Sequence, residues 1–164
     1  MRRVRGASVR RAKTARVSIL GMILQSLAYP VVWATPYFWT HPLEAWRILA
    51  AIAMGVVSLV LVWTAIPALG KQWRLQAGVY EDHELVQSGA YSLVRHPIYA
   101  SMLALLLATG LVLASLTACA VAVVLMIAGT EVRVHAEDRL LAERFGKQFA
   151  EYRARVPAYV PFLR

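Results

Sequence analysis

Cysteine occurs once in this chain, at Cys119, and charged residues make up only 16% of it. A lone cysteine excludes an intrachain disulfide and a Cys-based metal framework. Sparse charge beside 59% hydrophobic residues excludes an ordinary soluble domain and points to a membrane protein. Acidic residues are the scarcest charge, 9 against 18 Lys and Arg, for a formal net charge of +9. The distribution of that excess argues against nucleic acid. Arg2, Arg3, Arg5, Arg10, Arg11, Lys13 and Arg16 precede the first apolar run, and most other cations sit near segment ends. This is the pattern of positive cytoplasmic flanks against anionic lipid. The chain also lacks an internal repeat, a disordered linker and a Gly-rich dinucleotide turn. No His has a companion at helical spacing, so no metal site is expected. His41 and His135 read as interfacial or surface residues.

What is present is apolar length. A helix needs about 20 apolar residues to cross about 30 Å of hydrocarbon. Val17–Trp39 is uncharged over 23 residues, with Pro30 as an expected kink. Its basic start suits a signal peptide, but the run exceeds the usual core of about 7–15 residues and lacks a good cleavage sequence. It reads as a retained span. Ile48–Gly70 is a second uncharged run of 23 residues. Trp33, Tyr37, Phe38, Trp39 and Trp46 bracket the connection, as interfacial aromatics do, and its only charges are Glu44 and Arg47, so it is expected to face outward.

The third run, Ile98–Thr130, has 33 uncharged residues. As one straight helix it would be roughly 50 Å long, too long for a single crossing. A short hairpin turning near Gly110 to Ser115 is the better reading. Four crossings also put three basic regions on one side: the N-terminal arm, the loop with Lys71, Arg74 and Arg95, and a tail with seven cations. The expected architecture is an all-α integral membrane protein with about four transmembrane helices, including a short helical hairpin, and a cytoplasmic C-terminal helix. The parts are a basic arm (1–16), two transmembrane helices (17–75) and a core (76–164). Both termini are expected in the cytoplasm, at a bacterial inner membrane. Glu131 to Arg153 reads as helical from Val134, Leu141, Phe145, Phe149 and Tyr152, with Gly146 as an interruption. Val156 to Phe162 reads as an extended, proline-punctuated cover.

Two places carry possible chemistry. Arg95-His96-Pro97 suits a helix start, with Arg95 as a membrane-surface anchor. Alternatively, His96 and Tyr99 line a polar pocket at a helix N-terminus, whose free N–H groups suit an anion. Arg133 and Glu137 are four apart and share a helix face, so they can simply pair. Alternatively, Arg133 grips an anionic substrate group and Glu137 a cofactor. Asp138 points roughly 100° away and reads as structural. Cys119 reads as a small core or lipid-facing residue.

Taken together, His83-Glu-Leu-Val86, Gly89-Ala-Tyr91, Arg95-His96-Pro97-x-Tyr99, a hairpin, Glu137-Asp138-x-x-Leu141, Phe145-Gly146 and Tyr152-x-x-x-Val156-Pro157 resemble the isoprenylcysteine carboxyl methyltransferases and the related phospholipid N-methyltransferases. The resemblance covers about half the chain, and its ordered motifs are specific only jointly. It implies a membrane methyltransferase that uses S-adenosylmethionine. It implies cofactor contacts from Gln76, His83, Glu84, Leu85, Val86, Tyr91, His96, Pro97, Ile98, Tyr99 and Glu137, with Arg133 facing the substrate and sharing the catalytic role with Glu137. Two motifs depart from the usual pattern, Glu137-Asp138 for Glu-Glu and Gly89-Ala90-Tyr91 for Gly-Pro-Tyr. Neither departure removes a group the chemistry needs. The implied acceptor is a carboxylate on an apolar or lipid-like molecule, or else a phospholipid or small amine. A membrane reductase and a non-enzymatic adaptor are the competing classes.

Overall fold

The computed structural model describes residues 13–14, 17–35, 37–70, 78–79 and 85–160. It is an all-α membrane architecture. Among the described residues six helices follow in order: α1 (Val17–Trp33), α2 (Tyr37–Thr40), α3 (Ala45–Leu69), α4 (Pro97–Leu113), α5 (Leu116–Phe145) and α6 (Lys147–Arg155), with a 3-10 turn at Gly89–Ser92 before α4. Two short strands, β1 (Lys13–Thr14) and β2 (Gly78–Val79), pair antiparallel. Among the described residues three stretches are long and apolar enough to cross a membrane, Val17–Thr40, Ala45–Leu69 and Leu116–Phe145, and Pro97–Leu113 is a shorter apolar helix.

The third apolar run folds as the hairpin expected of it. The chain turns at Ala114 and Ser115, and the Ser115 hydroxyl accepts from the Ala118 N–H to cap α5. The two arms are unequal. The 17 residues of α4 span about 25 Å, whereas the 30 of α5 reach about 45 Å. No break occurs at Glu131: α5 runs straight from the apolar run into the charged segment. It stops at Gly146, which takes a positive φ of 49° before α6. The first span extends as far as expected, but in two helical pieces. Helix α1 contains Pro30 but ends at Trp33, and α2 follows as a separate turn.

Helix α1 packs along α5, and α3 along α4, with the hairpin between them. Lipid gives helices no hydrophobic reason to associate, so close packing and polar contacts must do it. Gly21 and Gly129 let α1 and α5 touch: a Cβ on Gly129 would lie 2.7 Å from the Gly21 carbonyl oxygen and 2.9 Å from the Gln25 N. Beside this contact the Gln25 Nε2 donates to Thr130 Oγ1 at 2.9 Å. Ser58 and Ser101 hydrogen-bond between α3 and α4 at 3.2 Å. Large apolar side chains such as Leu20, Leu49, Leu59, Trp63 and Val124 face outward. Cys119 is buried, against Gly110.

Helix α4 is shorter than the hydrocarbon thickness, so the carbonyls of its last turn need partners. Arg47 is 1% exposed and supplies two of them. Its Nε donates to Leu111 O at 2.6 Å and its NH2 to Ala114 O. Thr35 Oγ1 donates to Leu113 O at 3.2 Å. The Arg47 guanidinium also lies 4.4 Å from the Tyr37 ring centroid. Arg47→Met leaves two carbonyls unmet. We expect it to lower stability by about 2–3 kcal/mol, read as a shifted unfolding midpoint of the detergent-solubilised protein. Arg47→Lys recovers only part, because a point charge cannot serve two acceptors as a fork does. A midpoint unchanged in Arg47→Met contradicts this role.

Candidate functional site

At the end of the hairpin opposite the turn, the first turn of α4 meets the charged half of α5. Pro97 opens α4, which suits a residue with fixed φ and no N–H to leave unpaired. The two N–H groups just before it are also satisfied. Arg95 N donates to Pro157 O and His96 N to Ala158 O, each at 2.8 Å. The segment after α6 is therefore a strap across the start of α4. Ala158 and Tyr159 of this strap pack against Tyr99 and Val134. The 3-10 turn buries Tyr91 among Ala65, Ala90, Val86 and Ile98. Tyr152 of α6 donates its hydroxyl to the Tyr91 carbonyl at 2.6 Å.

The polar side chains form a connected chain. Arg133 Nε donates to Tyr99 OH at 2.7 Å, and the Tyr99 hydroxyl donates to Glu137 Oε1. Arg133 also reaches Glu137 directly, at 3.7 Å. His96 lies between two carboxylates, with Nδ1 3.3 Å from Glu137 Oε2 and Nε2 2.9 Å from Asp138 Oδ1. Arg95 contacts the other oxygen of Asp138 at 3.2 Å, and Arg153 of α6 lies 3.9 Å from it. The stem of Arg133 passes close to α1, where a Cβ on Gly21 would come within 2.6 Å of its Cγ.

Burial disfavours a charge on His96, but hydrogen bonds and attraction from Asp138 and Glu137 outweigh it and hold the imidazole above its ordinary value. Geometry leads to the same form. A neutral imidazole has one N–H and can serve one carboxylate, whereas an imidazolium donates to both. Burial pushes Tyr152 up to about 12, with Arg95 opposing and Asp138 adding to the rise. Tyr91 is raised by burial and then by Tyr152 and Glu137. Both phenols therefore keep their protons at neutral pH.

Of the residues singled out in the sequence, His96, Tyr99, Arg133 and Glu137 come into direct contact. Tyr91, Pro97 and Ile98 border them, and Leu85 and Val86 are half-buried on the approach. Gln76, His83 and Glu84 lie outside the described residues. Arg95 is not the surface anchor expected: it is 5% exposed and bound to Asp138 and to the Arg153 carbonyl. Its position beside a proline-led apolar helix suggested an interface cation, and nothing in the local sequence identified its partner 43 residues away. Asp138, read as structural, also reaches His96. Its adjacency to Glu137 was the available signal, since one imidazole can lie between consecutive carboxylates. His41 and His135 are exposed, and His41 stacks on Tyr37.

A profile of the isoprenylcysteine carboxyl methyltransferase (ICMT) family matches residues 48–143. The chain belongs to that family. It is 34% identical over 115 residues to protein-S-isoprenylcysteine O-methyltransferase B of Arabidopsis thaliana, covering 68% of this chain and 58% of the relative. Similarity to the ICMT of Schizosaccharomyces pombe is 29% over 83 residues, or 51% of this chain and 35% of that one. A cobalt-zinc-cadmium resistance protein of Cupriavidus metallidurans is 30% identical over 141 residues, 75% of this chain and 65% of the relative. The chain thus spans less than two thirds of the length of each of these relatives. The ICMT-matched stretch contains the hairpin, Arg133, Glu137 and Asp138, whereas α1, Arg47 and the strap lie outside it.

The raised value of His96 sets a pH dependence of stability. The folded state holds this proton to higher pH than the unfolded chain, in which His titrates near about 6.5. The stabilisation is complete below that value and is lost as pH rises through the folded one. Thermal melts in detergent should show a midpoint that declines above about pH 6.5, and His96→Gln should be less stable at pH 6 with a flatter profile. A wild-type profile with no decline up to pH 9 excludes this linkage.

Proposed function

We propose that this ICMT-family protein is an S-adenosylmethionine-dependent methyltransferase that methylates a carboxylate on an apolar or lipid-like acceptor. The observation that carries the reading is the polar chain Arg133–Tyr99–Glu137–His96 at one end of an apolar hairpin. It sets a fixed cation and a fixed carboxylate where lipid meets water.

The residues fit the methyl donor in their chemistry. The Glu137 side chain keeps 23% exposure despite its three partners, so an ionised edge remains for a cationic or hydroxyl-bearing group. Half-buried Val86 and Ile98 supply apolar surface around Tyr91, and Leu85 precedes them, also half-buried. The donor contacts we assign are these residues with Tyr91, His96, Pro97 and Tyr99, together with Gln76, His83 and Glu84. When bound, S-adenosylmethionine supplies a methyl group on a positively charged sulfur, which departs as a neutral thioether.

The protein's work is then placement and exclusion of water. Orientation of this kind contributes up to about 7–11 kcal/mol in ideal cases. A carboxylate acceptor needs no general base, only a fixed counter-ion. Arg133 is that group: its side chain is 10% exposed, and Tyr99 and Glu137 restrain its guanidinium. An amine acceptor would have to lose a proton as well, and in this cluster Glu137 already accepts from Tyr99 and faces His96. Membrane confinement of the acceptor follows from the cluster's position at the end of the apolar run.

Calorimetry with S-adenosylhomocysteine on the purified protein tests the donor assignment. Glu137→Ala should weaken binding by tenfold or more, about 1.4 kcal/mol. Unchanged affinity removes the assigned pocket. Arg133→Ala should bind the donor within about threefold of wild type yet lose roughly 100-fold or more in radiolabelled methyl transfer to membrane extracts. The product should be an alkali-labile ester. A stable methylamine establishes the N-methyltransferase alternative, and full turnover by Arg133→Ala removes the role given to that residue.

A further inference from the structure

Nothing in the ICMT resemblance assigns a task to Asp138, yet the structure surrounds it with more polar partners than a helix-surface carboxylate has. Its side chain is 6% exposed. One oxygen faces His96 Nε2 at 2.9 Å, and the other faces Arg95 at 3.2 Å and Arg153 at 3.9 Å. Its link to Glu137 runs through His96, whose second nitrogen faces Glu137 at 3.3 Å.

We propose that Asp138 is a positioning residue that keeps His96 doubly protonated, so that His96 clamps the Glu137 carboxylate in its donor-binding orientation. This rests on the methyl-donor reading given above. The physical argument concerns which proton goes where. With one proton, the imidazole either donates to Asp138 and turns a lone pair toward Glu137, or the reverse. Either way one buried carboxylate meets a lone pair, which is repulsive. With two protons both contacts are attractive. His96 also caps the N-terminal end of α4, where the helix dipole disfavours a cation. One carboxylate would have to offset both that and desolvation, and two share the load.

The charged groups facing His96 are Glu137 and Asp138 from α5, with Arg95 and Arg153 on the far side of Asp138 and Arg133 beyond Tyr99. Tyr99 stacks on the imidazole at 5.6 Å between centroids and is neutral. Arg95 and Arg153 take the second oxygen of Asp138, which keeps that carboxylate ionised beside His96.

The test uses the full chain in detergent, with 15N-labelled histidine and S-adenosylhomocysteine as probe. In wild type the two ring nitrogens of His96 should report an imidazolium above pH 6.5, and probe affinity should stay flat from pH 6 to 8. In Asp138→Asn, His96 should become neutral at lower pH than in wild type. Probe affinity should be within about threefold of wild type at pH 6 and fall about tenfold by pH 8. Asp138→Glu restores the carboxylate and should restore the flat profile. A uniform loss across pH in Asp138→Asn means a merely structural role and overturns the proposal. So does a pair of readouts identical to wild type. If Asp138→Asn does not fold, the wild-type titration still decides, because a His96 that turns neutral below about pH 6.5 rules out the clamp. Wild-type protein that binds no probe at any pH overturns the methyl-donor reading itself, whereas binding with an unaltered variant overturns the clamp alone.

Discussion

The turn at Ala114 and Ser115 is the constraint on which the rest of the structure depends. It sends α5 back along α4 and brings residues 133–138 beside residues 95–99. A single helix of the same sequence would separate those groups by roughly 50 Å. The hairpin alone is insufficient, because α4 is shorter than the hydrocarbon it lies in. Both its ends must be closed by other parts of the chain. The strap carbonyls of Pro157 and Ala158 take the N–H groups at one end, and Arg47 with Thr35 takes the carbonyls at the other. A helix pinned at both ends presents His96 and Tyr99 at a fixed height. That is what a site relying on placement requires.

Burying this many charges is costly unless each has a partner. The network meets that condition by alternation. Arg133, Glu137, His96, Asp138 and Arg95 follow one another as cation, anion, cation, anion and cation. Its partners are drawn from α4, α5, α6 and the loop before α4, so it also selects a single docking of those elements. The Gly21 and Gly129 contact adds α1, since the stem of Arg133 fits only where Gly21 has no side chain. Helix α1 and the strap lie outside the stretch that matches the family profile, yet both press on the residues within it.

Much of the fold was legible because bilayer arithmetic is unforgiving. Thirty-three uncharged residues exceed one crossing and fit two, and the basic segments then fall on one side. What that arithmetic missed was local. Within the first span, which does reach Thr40, α1 ends at Trp33 and α2 follows separately, since Pro36 makes the residue before it a poor helix former. That arithmetic left the continuity of α5 through Glu131 unstated, although nothing from there to Phe145 interrupts a helix. In the polar cluster, the pairing of Arg133 with Glu137 follows from their spacing of four. The position of His96 between Glu137 and Asp138 does not, because adjacent residues on an ideal helix point about 100° apart. Only an imidazole approaching between the two directions can serve both, and that approach is a tertiary fact.

Arg95 and Arg47 show why burial of a cation is hard to read from sequence. Each is a single arginine at the edge of an apolar helix, which by composition is an interface anchor. Each is instead almost fully enclosed, and for different reasons. Arg47 answers to backbone: the last carbonyls of α4 need donors, and a planar fork reaches two of them at once. Arg95 answers to a side chain: Asp138 already faces His96, and a second cation on its other oxygen keeps it ionised in a low-dielectric setting. The first arginine acts on the short helix from its C-terminal end and the second from its N-terminal end. The same 17 residues therefore carry a structural load and a chemical one, and the two are coupled through the rigidity of α4.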